Sequence, residues 1–479
     1  MSVLSPTDYE ALDGLAMAQL LAEREVSSQA LMQAATDAAR RHADLNALTY
    51  ERFDESLALA RDWQPRGVFG GIPFLLKDSG LAAMRFPSSI GSRLLDDTTY
   101  TVNATLTERF EQAGLISFAR STVSELCMGP STEAVRNGGA TLNPWDRTLS
   151  VGGSSGGAAA AIAAGIVPVA HGSDGGGSIR LPAACCGVYG LKPSRGRVPM
   201  GPFRGEGWGG MAVDGVLTRT VRDTAAAMDA ISGYETGAPY ASPPKAGSYL
   251  DLIARAPERP LRIGVWRQAW NDIAIAPECL AAVDRTAALC RDMGHEIVEV
   301  PLPDIDYEAF VRAHGTVLAS NIAMAVDTRV KLRGRPLAQG DIEEVIQDGY
   351  AVGKALAATQ YVEAIQRFHA IGRAFEAAMN RCDIVISTTL TQLPAQLGEL
   401  ALTGGFWNFR TKVSRYATFL AVINASGQPA ATLPMNRTAQ GVPVGTQLIG
   451  HFGREDQVLA LSAQLERAAP WAHVRPARR

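Results

Sequence analysis

Two serines set among glycines, Ser154 and Ser178, and a lysine at the end of an apolar run, Lys77, are the side chains of this chain whose chemistry could combine. The stretch from Ser150 to Arg180 reads SVGGSSGGAAAAIAAGIVPVAHGSDGGGSIR, with Gly152-Gly153 before the first serine and Gly175-Gly176-Gly177 before the second. Glycine has no Cβ, so such runs bring the main chain close to a ligand and aim several N–H groups at one point. A developing oxyanion needs that kind of nest. Lys77 lies in Gly70-Gly71-Ile72-Pro73-Phe74-Leu75-Leu76-Lys77-Asp78, at the end of a strand-like segment. An ammonium desolvated there loses the stabilisation that water gives it, its pKa falls, and a neutral amine able to activate a serine becomes accessible.

Each feature has a plainer alternative. Gly-Ser clusters also make flexible linkers, and a strand-end lysine can snorkel to solvent. Against a linker, the first cluster runs into the helix-forming segment Ala158 to Ala164 and so stands at a helix N-terminus. The second is bracketed by Asp174 and Arg180, opposite charges beside an apolar stretch, as an ordered turn would be. His171 is a lone histidine in an apolar strand; it reads as a core residue and is left out of the chemistry.

Taken together, Gly70-Gly71-Ile72-Pro73 with Lys77-Asp78, Gly152-Gly153-Ser154-Ser155-Gly156-Gly157, and Gly172-Ser173-Asp174-Gly175-Gly176-Gly177-Ser178-Ile179-Arg180-Leu181-Pro182-Ala183 strongly resemble the amidase signature hydrolases. The resemblance continues through Gly187-Val188-Tyr189-Gly190-Leu191-Lys192-Pro193 and returns in Asn424 to Ala430 and Gly441 to Gly450. It implies a Ser-Ser-Lys triad: Ser178 as nucleophile, Ser154 as bridging serine and Lys77 as base, the spacing of the serines selecting Ser154 over Ser155. It further implies a cis peptide bond at Gly153-Ser154, an oxyanion hole of main-chain N–H groups from Gly175, Gly176 and Gly177 with Ser178, structural support from Gly153, Ser155, Asp174 and Arg180, and no metal or organic cofactor. The implied reaction is cleavage of a C–N bond through an acyl-enzyme, with the relay returning a proton to the leaving nitrogen. The implied fold is an α/β core, a large mixed β-sheet flanked by helices on both sides.

The pattern departs from the family at Gly175, where many members carry Thr or Ile; a bare glycine there either loosens the turn or makes room for a bulkier substrate. Arg120-Ser121-Thr122-Val123-Ser124-Glu125 replaces a common Lys-Thr-Asn start. A glutaminase subunit of a tRNA amidotransferase would carry threonine at 175 and glutamine at 181, where this chain has Gly175 and Leu181. A phosphate-cradling module is a further alternative, but no GxxxxGK[ST] occurs.

With 45 basic and 48 acidic residues and a formal net charge of −3, the chain carries no nucleic-acid footprint. Its N-terminus, with early acidic residues and no basic start before an apolar run, does not read as a secretory signal. The longest apolar segment, Ala158 to Ala170, is broken by Gly165 and Pro168 and too short to span a bilayer. Cys127, Cys185, Cys186, Cys279, Cys290 and Cys382 are irregularly spaced without CxxC pairs, as in a cytoplasmic enzyme with reduced thiols. The expected partners are a small-molecule amide or carbamate and a second copy of the chain, with neither nucleic acid nor membrane.

The elements that must hold these side chains follow from periodicity. Asp8 to Glu23 and Ser28 to Arg41 carry apolar residues at helical spacing, with Ser27 or Ser28 as N-cap, and residues 101–119 read helix then strand. Such alternation favours a layered α/β sheet. Although 479 residues could make about three domains, large α/β enzymes often form one core. The expected division is residues 1–65 as helices packing on the core, 66–235 as the signature core and 236–479 as the remainder of the same domain, with Gly233 to Pro260 as junction. Beyond it Leu261 to Val265 and Glu296 to Val300 read as strands around the helix Pro277 to Met293, and Asp341 to Arg381 reads as a long helical zone covering one side of the site.

For the substrate, Phe406, Trp407 and Phe409, upstream of the last motif, either line a pocket or belong to a buried aromatic helix. With Trp208 they point to a medium-sized apolar, aryl or cyclic amide. Val169 to Gly172 and Gly334 to Leu337 look most similar to the branch that hydrolyses nylon-type cyclic amides and to urethane-cleaving relatives, which keeps an aryl carbamate in view.

Overall fold

The computed structural model describes residues 4–255 and 259–477, so Met1 to Val3 of the N-terminal reading and 256–258 of the expected junction lie outside the described residues. The strands are β1 (Leu48–Thr49), β2 (Ile72–Lys77), β3 (Leu115–Ser121), β4 (Val169–Asp174), β5 (Tyr189–Lys192), β6 (Val213–Thr218), β7 (Arg262–Val265), β8 (Glu296–Glu299), β9 (Ile384–Thr388), β10 (Ala430–Arg437) and β11 (Pro443–Gly450). They form one 11-stranded sheet in the order β1-β3-β2-β4-β6-β5-β10-β11-β9-β7-β8. β2 runs parallel to β3 and β4, and β7 parallel to β8 and β9, while the strands between pair antiparallel. All six residues of β2, seven of β3 and eight of β11 are buried. A strand buried at every position has both faces covered, which is why these segments read as continuous apolar runs rather than alternating ones.

The single sheet draws strands from each of the three segments expected from the sequence, β1 from the first, β2 to β6 from the second and β7 to β11 from the third. Helices differ from expectation at two places. Asp8 to Glu23 is two helices, Pro6–Ala11 and Gly14–Ala22, because Asp13 leaves the helical conformation and its carboxylate accepts the Ala16 N–H as an N-cap. The zone 341–381 likewise divides into Glu344–Ala355 and Ala358–Met379 at the extended residues Leu356 and Ala357. No helix of the described residues is long and apolar enough to cross a membrane.

Two short helices carry the glycine motifs into the interior. Gly156–Ala163 and Arg180–Cys186 are buried at every position, the small side chains of the first allowing close approach to the sheet. Chain reversals that begin them therefore sit at the ends of β2 and β4, and bring Lys77, Ser154 and Ser178 together.

Candidate active site

Lys77, the last residue of β2, is fully buried. Its Nζ lies 2.8 Å from Ser154 Oγ, 2.9 Å from Ser173 Oγ and 3.1 Å from the Ser173 carbonyl oxygen. All three oxygens can accept from the protonated amine; once the amine is neutral, two N–H groups suffice for Ser173 and the lone pair can face the Ser154 hydroxyl. Burial lowers the lysine pKa, against a weaker opposing pull from Cys127, Asp214, Asp174 and Asp78.

The peptide Gly153-Ser154 is cis. A Cβ on Gly153 would stand 2.3 Å from the Ser131 carbonyl oxygen, so the corner admits no side chain there. Ser155 ties the two turns together: its N–H donates to the Ser178 carbonyl at 3.2 Å and its hydroxyl to the Ser173 carbonyl at 3.3 Å. Ser154 is fully buried, whereas Ser178 retains 9% exposure, and both line a cavity of about 430 Å³.

In the turn before Ser178, the Asp174 carboxylate accepts the N–H groups of Gly177 at 2.8 Å and Ile179 at 3.1 Å and pairs with the Arg180 guanidinium through contacts of 2.9 and 3.0 Å. Burial by itself would raise the Asp174 pKa, but Arg180 outweighs it and holds the carboxyl well below the usual range. Of the N–H groups expected to form an oxyanion hole, that of Gly177 is committed to Asp174, while those of Gly175, Gly176 and Ser178 meet no protein acceptor among the described residues. Gly177 has φ +121°, and a Cβ there would lie 2.6 Å from Leu420, so the turn requires glycine on both counts. At Gly175 the missing Cβ makes room for Trp208 and not for substrate: a Cβ would lie 2.4 Å from the indole Cε3.

Several members of this site were given no role in it by the sequence. Asn424 donates to the Asp174 side chain at 2.9 Å and to its carbonyl at 2.8 Å, and accepts from Arg180, which also donates to Gln447 at 2.8 Å; both partners lie in the C-terminal motifs, whose resemblance was the only pointer to them. The His171 ring accepts the Lys77 main-chain N–H on Nδ1 at 3.2 Å, so its proton is on Nε2, which donates to Asp214 at 3.1 Å. Burial lowers its pKa, with Asp214 pulling the other way. This histidine, accepting on Nδ1, fixes the end of β2. Cys127, with φ +57°, faces the same cavity.

The aromatic residues divide. Trp208 lines the cavity with Ile90, Leu126, Met128 and Met200, and the exposed side chains of Phe203 and Met324 stand at its rim. Phe406, Trp407 and Phe409 do not line it. Phe406 and Phe409 are buried in a cluster with Leu318, Ile322, Val345 and Ile346, since the apolar stripe of the helix Phe406–Tyr416 faces its helical neighbours. Trp407 stands edge-on to Phe406 at 5.3 Å and borders a separate cavity of about 790 Å³. Phe406 and Phe409 thus pack between helices, contrary to the expected substrate contact, while the half-exposed Trp407 borders a cavity other than the one that Ser154 and Ser178 line.

The family profile described as Amidase matches residues 30–459. The chain is 33% identical over 482 residues to the 6-aminohexanoate-cyclic-dimer hydrolase of Paenarthrobacter ureafaciens, covering 97% of this chain and 96% of that protein. It superposes on the solved structure of a 6-aminohexanoate cyclic dimer hydrolase complexed with substrate with a TM-score of 0.91 at 31% identity, covering 98% and 99% of the two chains. A bacterial aryl acylamidase of the amidase signature enzymes is similar at a TM-score of 0.85 and 26% identity, covering 96% and 97%.

Proposed function

The chain belongs to the amidase family, as a hydrolase acting on amides, and from that premise we propose that it cleaves apolar aryl or cyclic amides through an acyl-enzyme on Ser178. The observation that carries this reading is a fully buried Lys77 Nζ 2.8 Å from Ser154 Oγ, with no carboxylate in an ion pair with it among the described residues and burial lowering its pKa. Ser178 Oγ attacks the carbonyl carbon, its proton passes to Ser154 Oγ, and the Ser154 proton passes to Lys77. The N–H groups of Gly175, Gly176 and Ser178 receive the oxyanion, each donor being worth about 3 kcal/mol of barrier. The relay then runs backwards, delivering a proton to the leaving nitrogen, and water entering the same place hydrolyses the ester.

The apolar cavity wall of Ile90, Leu126, Met128, Met200 and Trp208 supports an apolar acyl or aryl group. An aryl carbamate is the second reading: Asn321, a polar side chain with an amide acceptor, lines the same cavity and suits the N–H beyond the scissile carbonyl. Six free cysteines, five of them buried, support a cytoplasmic setting.

The experiment compares aliphatic amides, anilides, cyclic amide dimers and aryl carbamates at equal concentration in the parent and in Ser178→Ala, alongside labelling by a fluorophosphonate. Turnover that vanishes in Ser178→Ala, with the parent labelled at Ser178 alone, is expected. Labelling at another serine, or turnover surviving in the variant, would refute the assignment.

A further inference from the structure

Arg410 projects from the helix Phe406–Tyr416 into the interior with 7% exposure, and among the described residues no carboxylate forms an ion pair with it. Its hydrogen bonds are long ones, 3.4 Å from one terminal nitrogen to the Met128 carbonyl and 3.4 Å from the other to His314 Nδ1. Arg120, also buried without an ion-pair partner, instead donates to the carbonyls of Pro87, Lys77, Leu81 and Phe86 at 2.5 to 3.2 Å. Burial drives the Arg410 guanidinium down to about 10, which leaves it charged at neutral pH. Holding a cation in the interior with so little compensation is unfavourable. A negative charge that arrives only with the reaction would compensate it.

His314 points to where that charge forms. A guanidinium has no acceptor, so Nδ1 must accept from it and the ring proton sits on Nε2. Burial first, and the Arg410 charge second, keep the ring neutral. Its Nε2 is buried with no hydrogen-bond partner. The ring edge that carries it packs on the turn before the nucleophile, for a Cβ built on Gly176 would lie 3.4 Å from Cε1 and 3.6 Å from Nε2. His314 lies two helical turns before Asn321 on the helix Tyr307–Arg333, so the two share a face, and Asn321 lines the catalytic cavity. The guanidinium polarises the imidazole along its length and turns a positive edge toward Gly176.

We propose that Arg410 and His314 are a positioning pair that holds positive charge behind Gly176, so that the tetrahedral oxyanion forms on N–H groups backed by a buried cation. The pair transfers no proton and forms no bond. It rests on the acyl-enzyme reading of Ser178 and adds the source of the field at the oxyanion.

The test uses the full chain and measures kcat and KM on an anilide, the melting temperature, and the inhibition constant of a trifluoromethyl ketone, which forms a tetrahedral adduct with a serine nucleophile. A unit charge acting across one imidazole ring at an effective dielectric of about 20 gives roughly a twentyfold effect. Arg410→Met is expected to lower kcat by about that factor with KM changed less than about twofold. Its melting temperature should hold or rise, because the poorly compensated charge is gone. Affinity for the ketone should fall in step with kcat, Arg410→Lys should recover part of both, and His314→Phe, which keeps the ring shape, should lower both without lowering the melting temperature. Parental kcat and ketone affinity in Arg410→Met would overturn the pair, as would a fall in kcat that merely accompanies a fall in melting temperature. Failure of the fluorophosphonate to label the parent at Ser178 would overturn the acyl-enzyme reading and the pair with it; a labelled Ser178 with an unaffected Arg410→Met removes the pair alone.

Discussion

Replacing Lys77 by methionine removes the base while keeping most of its volume, and the structure sets opposing terms for stability. In the folded chain the lysine pKa is lowered by burial, whereas unfolding returns it to about 10.4. Between those two values the unfolded chain binds one more proton, so stability rises with pH across that window and is lowest below the folded pKa. Each unit of depression costs about 1.4 kcal/mol there, and Lys77→Met removes that cost. The same change deprives the Ser173 carbonyl and hydroxyl of their donor, at about 1–3 kcal/mol for each buried group left unsatisfied. The two terms oppose each other, and the expected result is a folded variant whose melting temperature at pH 7 stays near the parent's and loses part of its dependence on alkaline pH. Activity has no such compensation: loss of a positioned general base is worth about 10²- to 10⁴-fold. Differential scanning calorimetry and kcat/KM from pH 6 to 10.5, run on parent and variant, read both. The parent profile should rise with pH and level off below the ordinary lysine value, because the amine is competent only when unprotonated. A variant within tenfold of the parent, or a parent profile still climbing at pH 10.5, would refute a desolvated lysine base.

Gly175→Thr places a side chain where the Trp208 indole now lies, so it should displace the ring and cut kcat/KM for aryl amides by more than that for small aliphatic amides, with a change in tryptophan fluorescence as the structural reading. Asp174→Asn leaves the Arg180 guanidinium buried without its counter-ion and should cost about 3–5 kcal/mol in urea unfolding. In the parent, the depressed Asp174 pKa gives stability that is complete above about pH 4 and disappears only as acid carries the pH down through the folded value, so the parent–variant difference should shrink in strong acid. Phe409→Ala should lower stability by about 3–5 kcal/mol with KM unchanged, whereas Trp208→Ala should raise KM with a smaller effect on stability.

What could be read in the sequence was whatever local geometry forces. Glycine runs and the apolar run before Lys77 marked close-approach turns, because such a turn tolerates few residue types, while the Ser-Ser-Lys relay was read only through the resemblance to the amidase signature hydrolases. Two kinds of feature were not legible. The first is facing: a stripe of Phe406, Phe409 and Val413 shows that one side of a helix is buried but not whether a cavity or another helix lies against it, and here it is the helices Tyr307–Arg333 and Glu344–Ala355. The second is pairing across the sheet. His171 stands opposite Val216 in the antiparallel ladder of β4 and β6, which puts Asp214 two positions away on the same face. No spacing within either strand encodes that contact. Within the legible helical pattern the boundary at Asp13 was also missed, since the apolar period runs through the point where its carboxylate starts a new helix.

Pairing across elements also explains how the Lys77 pKa can be lowered with Asp78, Asp174 and Asp214 near enough to favour its charge. Each of these carboxylates is already bound elsewhere. Asp78 accepts the hydroxyls of Ser88 at 2.5 Å and Ser89 at 2.8 Å, Asp174 is paired with Arg180, and Asp214 accepts the Nε2–H of His171. Among the described residues none of them forms an ion pair with Lys77, and desolvation prevails over their attraction. Had any one of them turned to the ammonium, a contact near 4 Å at an effective dielectric of about 20 would contribute about 4 kcal/mol to the protonated form, enough to move the amine by about three pKa units. Basicity at Ser154 therefore depends as much on what His171, Arg180, Ser88 and Ser89 keep away from Lys77 as on the lysine itself.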